Sequence, residues 1–294
     1  MKYQSIFNLC LLTVFLLVVS AGCSDWTDME IHDSEVKEAK EQNPAQYAAY
    51  TQNLRAYKAT KHALVYARFD NAPETYVSEK NYLRSLPDSV DIVTMCNASR
   101  LSDYDREDMK LVRTDYGTRI LYEVNADAGE EAMAAAVIAV KNGEFDGITL
   151  TAQTSVNESS IAFLHNALGQ VDCLMIFNGK VGFVPATFRS LFDYYVTEIP
   201  AEADEFDVET ALMYAQSFGI SDRLLLAVEP QYTITDKTQK TFDAMGWIAA
   251  YLHNYVASPG GIAVHNISAD YYNTEIIYKQ TRGVIQILNP ASGN

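Results

Sequence analysis

Eight short apolar runs constrain this chain more than any other feature. They read HALVYARF, VDIVTMCN, RILYEVNA, FDGITLTAQ, DCLMIFNG, DYYVTEIP, RLLLAVEP and GGIAVHNIS, all after Lys61. Stretches with helical character separate several of them, namely GEEAMAAAVIAVKN, SSIAFLHNALGQ, VETALMYAQSFG and TQKTFDAMGWIAAYLHNYV. A strand that is apolar on both faces must be covered on both, as a parallel strand flanked by helices is. Eight such units in roughly 230 residues have the size of a (β/α)8 TIM barrel. The rival is a doubly wound open sheet. That fold usually needs fewer strands, and no Gly-rich phosphate fingerprint follows the first run, which continues ARFDNAPETY. The expected class is α/β, with the barrel over residues 61–294.

The residues before the barrel have another purpose. MKYQSIFNLCLLTVFLLVVSAGC carries one lysine near its start, an apolar run from Ile6 to Val19, small residues and then Cys23. That run is short for a spanning helix and reads as a secretory signal over residues 1–22. Ser20-Ala21-Gly22-Cys23 resembles a bacterial lipobox, with Ser20 where leucine is usual, and the resemblance implies lipidation at Cys23. The acidic SDWTDMEIHD that follows resembles a surface-export signal of gram-negative lipoproteins. The expected location is the outer membrane, facing the exterior. Residues 23–60 then form a lipidated tether and a helix that Pro44 begins or interrupts. Tyr47, Tyr50, Leu54 and Tyr57 give that helix one apolar stripe, suited to packing over one end of the domain.

Charge narrows the partners. The chain has 22 Lys and Arg against 38 Asp and Glu, a net charge of −16, and loses one more positive charge with the signal. Phosphate recognition needs clustered cations, so nucleic acid is disfavoured, and membrane contact is expected only through the lipid. A neutral ligand fits better. The 19 tyrosines could stack on flat sugar faces, although most read as ordinary half-buried core residues. With Cys10 and Cys23 set aside, Cys96 and Cys173 lie in apolar runs and are expected to be free and buried. His62, His165, His253 and His265 show no metal-ligand spacing, and no metal or cofactor is expected.

In such a barrel the binding site lies at the C-terminal ends of the strands. The residues there are Phe69 and Asp70, Cys96 and Asn97, Asn125 and Asp127, Gln153, Phe177 and Asn178, Thr197 and Glu198, Glu229 and Gln231, and His265 and Asn266. Amides, carboxylates and aromatics mix, with no Ser-His-Asp order.

The fourth run carries a resemblance. Asp146-Gly147-Ile148-Thr149-Leu150-Thr151-Ala152-Gln153 is similar to the DGxDxDxE strand of family 18 glycoside hydrolases, the chitinase and endo-β-N-acetylglucosaminidase barrels. LPDSVDIVTM (Leu86 to Met95) resembles the second strand of that family's bacterial lipoprotein branch. GGIAVHNIS resembles its eighth, with His265 where chitinases commonly have tryptophan. The similarity spans Lys61 to about Leu288. In that family the final Glu protonates the glycosidic oxygen, and the Asp two residues earlier supports the substrate's own N-acetyl group. The resemblance thus places Gln153 and Thr151 where the acid and its helper belong. An amide donates no proton as a general acid must, and a threonine brings no charge to the developing cation.

The resemblance implies a non-catalytic surface lipoprotein that captures glycans containing N-acetylglucosamine for an outer-membrane importer and its lipoprotein partner. Thr149, Thr151 and Gln153 would floor the cleft. Tyr66, Phe69, Tyr194, Tyr195 and Tyr271 would stack, while Asn97, Asn178, Glu198, His265 and Asn266 would hydrogen-bond. The alternatives are an active hydrolase with a relocated acid, Glu198 foremost, and a scaffold that binds no sugar.

Overall fold

The computed structural model describes residues 38–169 and 171–291. The expected signal peptide, Cys10 and Cys23 lie outside them. Eleven strands follow in order: β1 Leu64–Phe69, β2 Ile92–Met95, β3 Arg119–Asn125, β4 Gly147–Thr151, β5 Leu174–Asn178, β6 Tyr194–Glu198, β7 Glu202–Asp204, β8 Leu224–Val228, β9 Thr233–Thr235, β10 Thr241–Asp243 and β11 Gly261–Val264. The longer helices are α1 Pro44–Lys58, α2 Asp103–Tyr116, α3 Glu130–Lys141, α4 Glu158–Leu168, α5 Glu205–Ser217, α6 Ala244–Tyr255 and α7 Lys279–Leu288. All eight apolar runs become parallel strands of one closed barrel, ordered β1-β2-β3-β4-β5-β6-β8-β11. The expected (β/α)8 barrel is the fold.

Alternation along each strand sorts its side chains into two cores. Leu64, Tyr66, Ile92, Leu121, Ile176, Val196, Leu225, Ala227 and Ala263 fill the barrel. Val65, Phe69, Val93, Met95, Ile148, Leu150, Phe177, Tyr195, Leu226 and Val264 point the other way, into the layer beneath the helices. This is why the runs are continuously apolar.

A repeated device sets the register. The residue before β2, β4 and β6 is in each case aspartate, and its carboxylate accepts a backbone N–H from the preceding strand. Asp91 takes Val65 N, Asp146 takes Ile120 N and Asp193 takes Met175 N, each at 2.8 Å. Gly147 serves the same joint, because a Cβ there would lie 2.0 Å from the Leu174 carbonyl oxygen.

Among the described residues, one compact unit runs from Ala49 onward and those up to Ala48 fall outside it. Within that unit, the second half of α1 fastens to the N-terminal end of the barrel, as its stripe suggested. Tyr50 bonds to Asp88, Leu54 is buried, and Lys58 Nζ donates to Asp88 O, Val90 O and Thr118 Oγ1 at 2.6–2.8 Å. Cys96 and Cys173 are free and half-buried.

One expectation needs correcting. TQKTFDAMGWIAAYLHNYV is not helical throughout: Thr241–Asp243 is β10, and Asp243 caps the helix by accepting Gly246 N at 2.7 Å. β10 pairs with β9, and β9 with β7, to make a small three-stranded sheet inserted after β6 and β8.

Candidate active site

The mouth is built from the last inward positions of the barrel strands. Its first half carries His265 and Cys96, which follow β11 and β2, and Arg68 and Glu123, which lie near the ends of the neighbouring strands β1 and β3. Arg68 reaches across β2, and its Nε and Nη2 each donate to a Glu123 carboxylate oxygen at 2.7 Å. The fork is charge-assisted and bidentate, and Glu123 raises the arginine's pKa further. Burial pushes the Cys96 thiol up to about 12, with Glu123 adding to the shift. His265 is 7% exposed, and its Nε2 has no hydrogen-bond partner in the protein. Burial first, and then the Arg68 charge, bring its pKa down to about 4, so the ring is neutral at pH 7.

The second half is more open. Thr151 and Asn178 end β4 and β5 half-buried, and Gln153 is exposed just beyond β4. Glu198 ends β6 and Glu229 follows β8, with the Tyr232 hydroxyl between them, 3.3 and 3.4 Å from their oxygens. Partial burial and these two carboxylates raise the Tyr232 pKa to about 12. Asn266 Nδ2 donates to the other Glu229 oxygen at 3.1 Å. This half therefore presents an exposed amide, a phenol and carboxylate acceptors.

Beneath the mouth the barrel is filled. Thr149 is fully buried and hydrogen-bonds Thr94, oxygen to oxygen, at 2.7 Å. The Tyr66 phenol lies beside both, close enough for each hydroxyl to offset part of the upward pKa shift that burial causes, but not aligned for a full bond.

Several sequence-based assignments change. Tyr66, expected to stack on ligand, has no exposed surface and fills the barrel. Phe69 and Tyr195 point outward beneath the helices and are equally buried. Tyr195 donates its hydroxyl to Arg189 O at 2.7 Å. Thr149 belongs to the barrel's fill rather than to a cleft floor. Asp146 lies at the opposite end, paired with Arg113 at 2.6 Å besides its backbone bond. Tyr194 borders a recess of about 720 Å³ at that N-terminal end, the end that serves stability in this architecture. Tyr271 is half-buried against Tyr272 and Tyr278. Asn97 is spent on its own loops: Nδ2 donates to Asp70 and Asn71, and Oδ1 accepts from Arg100. The structure does bring Thr151, Gln153, Asn178, Glu198, His265 and Asn266 to the same end of the barrel. The sequence reading omitted Arg68, Glu123 and Tyr232. The first two had a signal, a charged residue at inward parity inside an apolar run.

A family model described as glycoside hydrolase family 18, BT1044-like matches residues 27–243. The chain belongs to this family. Among solved structures, the family 18 chain resembles BT1044 in a selenomethionine form with one Glu-to-Gln substitution, at TM-score 0.70 and 18% identity, covering 86% of this chain and 96% of that one. It also resembles the endo-β-N-acetylglucosaminidase of Cordyceps militaris in its apo form, at TM-score 0.59 and 16% identity, over 82% and 96%. A variant of that enzyme with Asp-to-Asn and Glu-to-Gln substitutions, in complex with fucosyl-N-acetylglucosamine-Asn, matches at TM-score 0.59 and 18% identity over the same shares. These likenesses are of fold. No curated protein sequence matches the family 18 chain.

Proposed function

We propose that this family 18 barrel binds a glycan containing N-acetylglucosamine and does not cleave it. One observation carries the reading: the inward face of the fourth strand ends in Thr151 and an exposed Gln153, with no carboxylate on it. The nearest acid on a neighbouring strand, Glu123, is held in the Arg68 fork and accepts hydrogen bonds instead of donating a proton. Loss of a positioned acid removes a factor of about 10²–10⁴ in rate. Neutral hydroxyls and amides can still pair with sugar hydroxyls, without the desolvation penalty of a buried charge. The Cordyceps militaris variant, with amides in place of two acids, is likewise bound to an N-acetylglucosamine ligand. With lipidation at Cys23, the protein would be an outer-membrane lipoprotein presenting glycans to an importer and its lipoprotein partner.

Calorimetry with N-glycan and chitin fragments, with the same samples incubated and checked for cleavage, tests this reading. Binding without turnover is expected. Turnover abolished by Glu198→Gln or Glu229→Gln would replace it with a second reading, a hydrolase whose acid has moved to the Glu198–Tyr232–Glu229 group. Absence of binding to any fragment would leave a scaffold role.

A further inference from the structure

Helices α5 and α6 border a groove of about 490 Å³ on the outside of the barrel. One side of it is an aromatic row. Trp247, Tyr251 and Tyr255 recur every fourth residue along α6, so one helix face carries all three. The Trp247 and Tyr251 rings stack with centroids 5.1 Å apart and planes 24° apart, and Tyr255 follows after another 5.1 Å. A row of this kind is commonly core packing. Here it runs outward, from half-buried Trp247 and Tyr251 to Tyr255, which is 76% exposed. The facing wall is polar. Lys237 Nζ lies 2.5 Å from Glu209 and 3.2 Å from Glu205. Glu209 also accepts the Tyr251 hydroxyl at 3.3 Å, and Glu205 accepts Lys237 N at 3.1 Å.

We propose that this groove is a second carbohydrate-binding surface, taking the apolar face of a neutral pyranose on Tyr251 and Tyr255 while its hydroxyls donate to Glu205 and Glu209. Aromatic rings with a polar edge suit a ligand that is flat and apolar on one side and hydrogen-bonding around its rim. Each carboxylate offers roughly four lone-pair sites, more than the protein uses, so acceptors remain for hydroxyls. Lys237 bridges Glu205 and Glu209, and the third lining carboxylate, Asp236, is spent on its own turn, accepting Thr238 N and Lys240 N, so a basic peptide gains little there. An anionic ligand would meet three carboxylates, Glu205, Glu209 and Asp236, against one ammonium. The inference rests on the glycan class proposed for the mouth, but not on the mouth as a site.

Trp247 supplies the readout, since the chain has two tryptophans and Trp26→Phe removes the other. The full chain with Trp26→Phe is titrated with tetraacetylchitotetraose and, separately, with hexalysine, following tryptophan emission and heat. A saturable emission shift with the sugar is expected. Tyr255→Ala should weaken that shift about fivefold, the scale of one lost aromatic contact, and Gln153→Phe at the mouth should leave it intact. Sugar binding seen as heat, silent in emission and abolished by Gln153→Phe, overturns the groove and leaves the mouth standing. An emission response that survives Gln153→Phe but is lost in Tyr255→Ala upholds the groove, even where the mouth binds nothing. A response to hexalysine alone, or none to the sugar, overturns the inference.

Discussion

His265 and Arg68 show how much of the mouth is decided by single side chains. His265 is an imidazole buried beside a guanidinium, with its Nε2 unpartnered. Its folded-state pKa of about 4 lies below the unfolded value near 6.5, so between these pH values the unfolded chain binds a proton that the native state refuses. Stability therefore falls as pH drops from about 6.5 towards 4 and levels off below, by up to about 3 kcal/mol. Urea midpoints should fall with acid across this window in the wild type and fall less in His265→Asn; parallel pH profiles would remove the residue from the argument. Arg68→Met strands Glu123, whose side chain is 10% exposed. The expected loss is about 2 kcal/mol, below the 3–5 kcal/mol of a fully buried pair because the guanidinium still touches water. Glu123→Gln, which keeps one acceptor oxygen for Arg68 and leaves no unpaired buried carboxylate, should cost less in the same melt. Neither residue was singled out from the sequence. Phe69 and Tyr195 were, because position near a strand end was weighed and parity was not.

At the scale of elements, closure of the barrel depends on joints at its N-terminal end. The aspartates before β2, β4 and β6 each accept one backbone N–H, which spaces neighbouring strands where the ladder begins. Asp146, the first residue of the stretch that suggested the family, is therefore a register pin in this chain. Gly147 beside it has no room for a side chain. Gly147→Ala should prevent folding or cost more than about 4 kcal/mol, since β4 and β5 must part around the methyl. Gly143→Ala is the contrast. It faces open space at φ 74°, so its cost is the left-handed backbone alone, about 1 kcal/mol. Thermal melts of the pair compare sterics with conformation directly. Gly147 and the strand spacing were visible beforehand, but the strand β10 was not. TFD leads into a helix, and only pairing with β9 makes it extended.

For the whole molecule, charge and architecture make separate statements. A net charge of −16 repels anions at long range and is indifferent to neutral sugars. Glycan affinity should therefore hold within about twofold between roughly 50 and 500 mM salt, where exposed charge effects are screened away. A steep fall on raising the salt, measured by calorimetry, would mean that ion pairs carry the binding and that the ligand is charged. The barrel also separates duties by end. The N-terminal end holds the aspartate pins and the α1 contacts. The C-terminal end is left with amides, a phenol, carboxylates and one ion pair, free to vary without unpicking the fold.

The sequence by itself determined the barrel and the neutral character of its fourth strand. Both are local matters: runs apolar on two faces require covering on both, and a glutamine is a glutamine wherever it lies. Tertiary structure alone decided which residues meet at the mouth. Arg68 and Glu123 are 55 positions apart and touch only because β1, β2 and β3 lie side by side in one sheet and the arginine is long enough to reach across β2. Parity then turns each strand-end ring inward or outward, and burial, not residue type, sets whether it can ever touch a sugar.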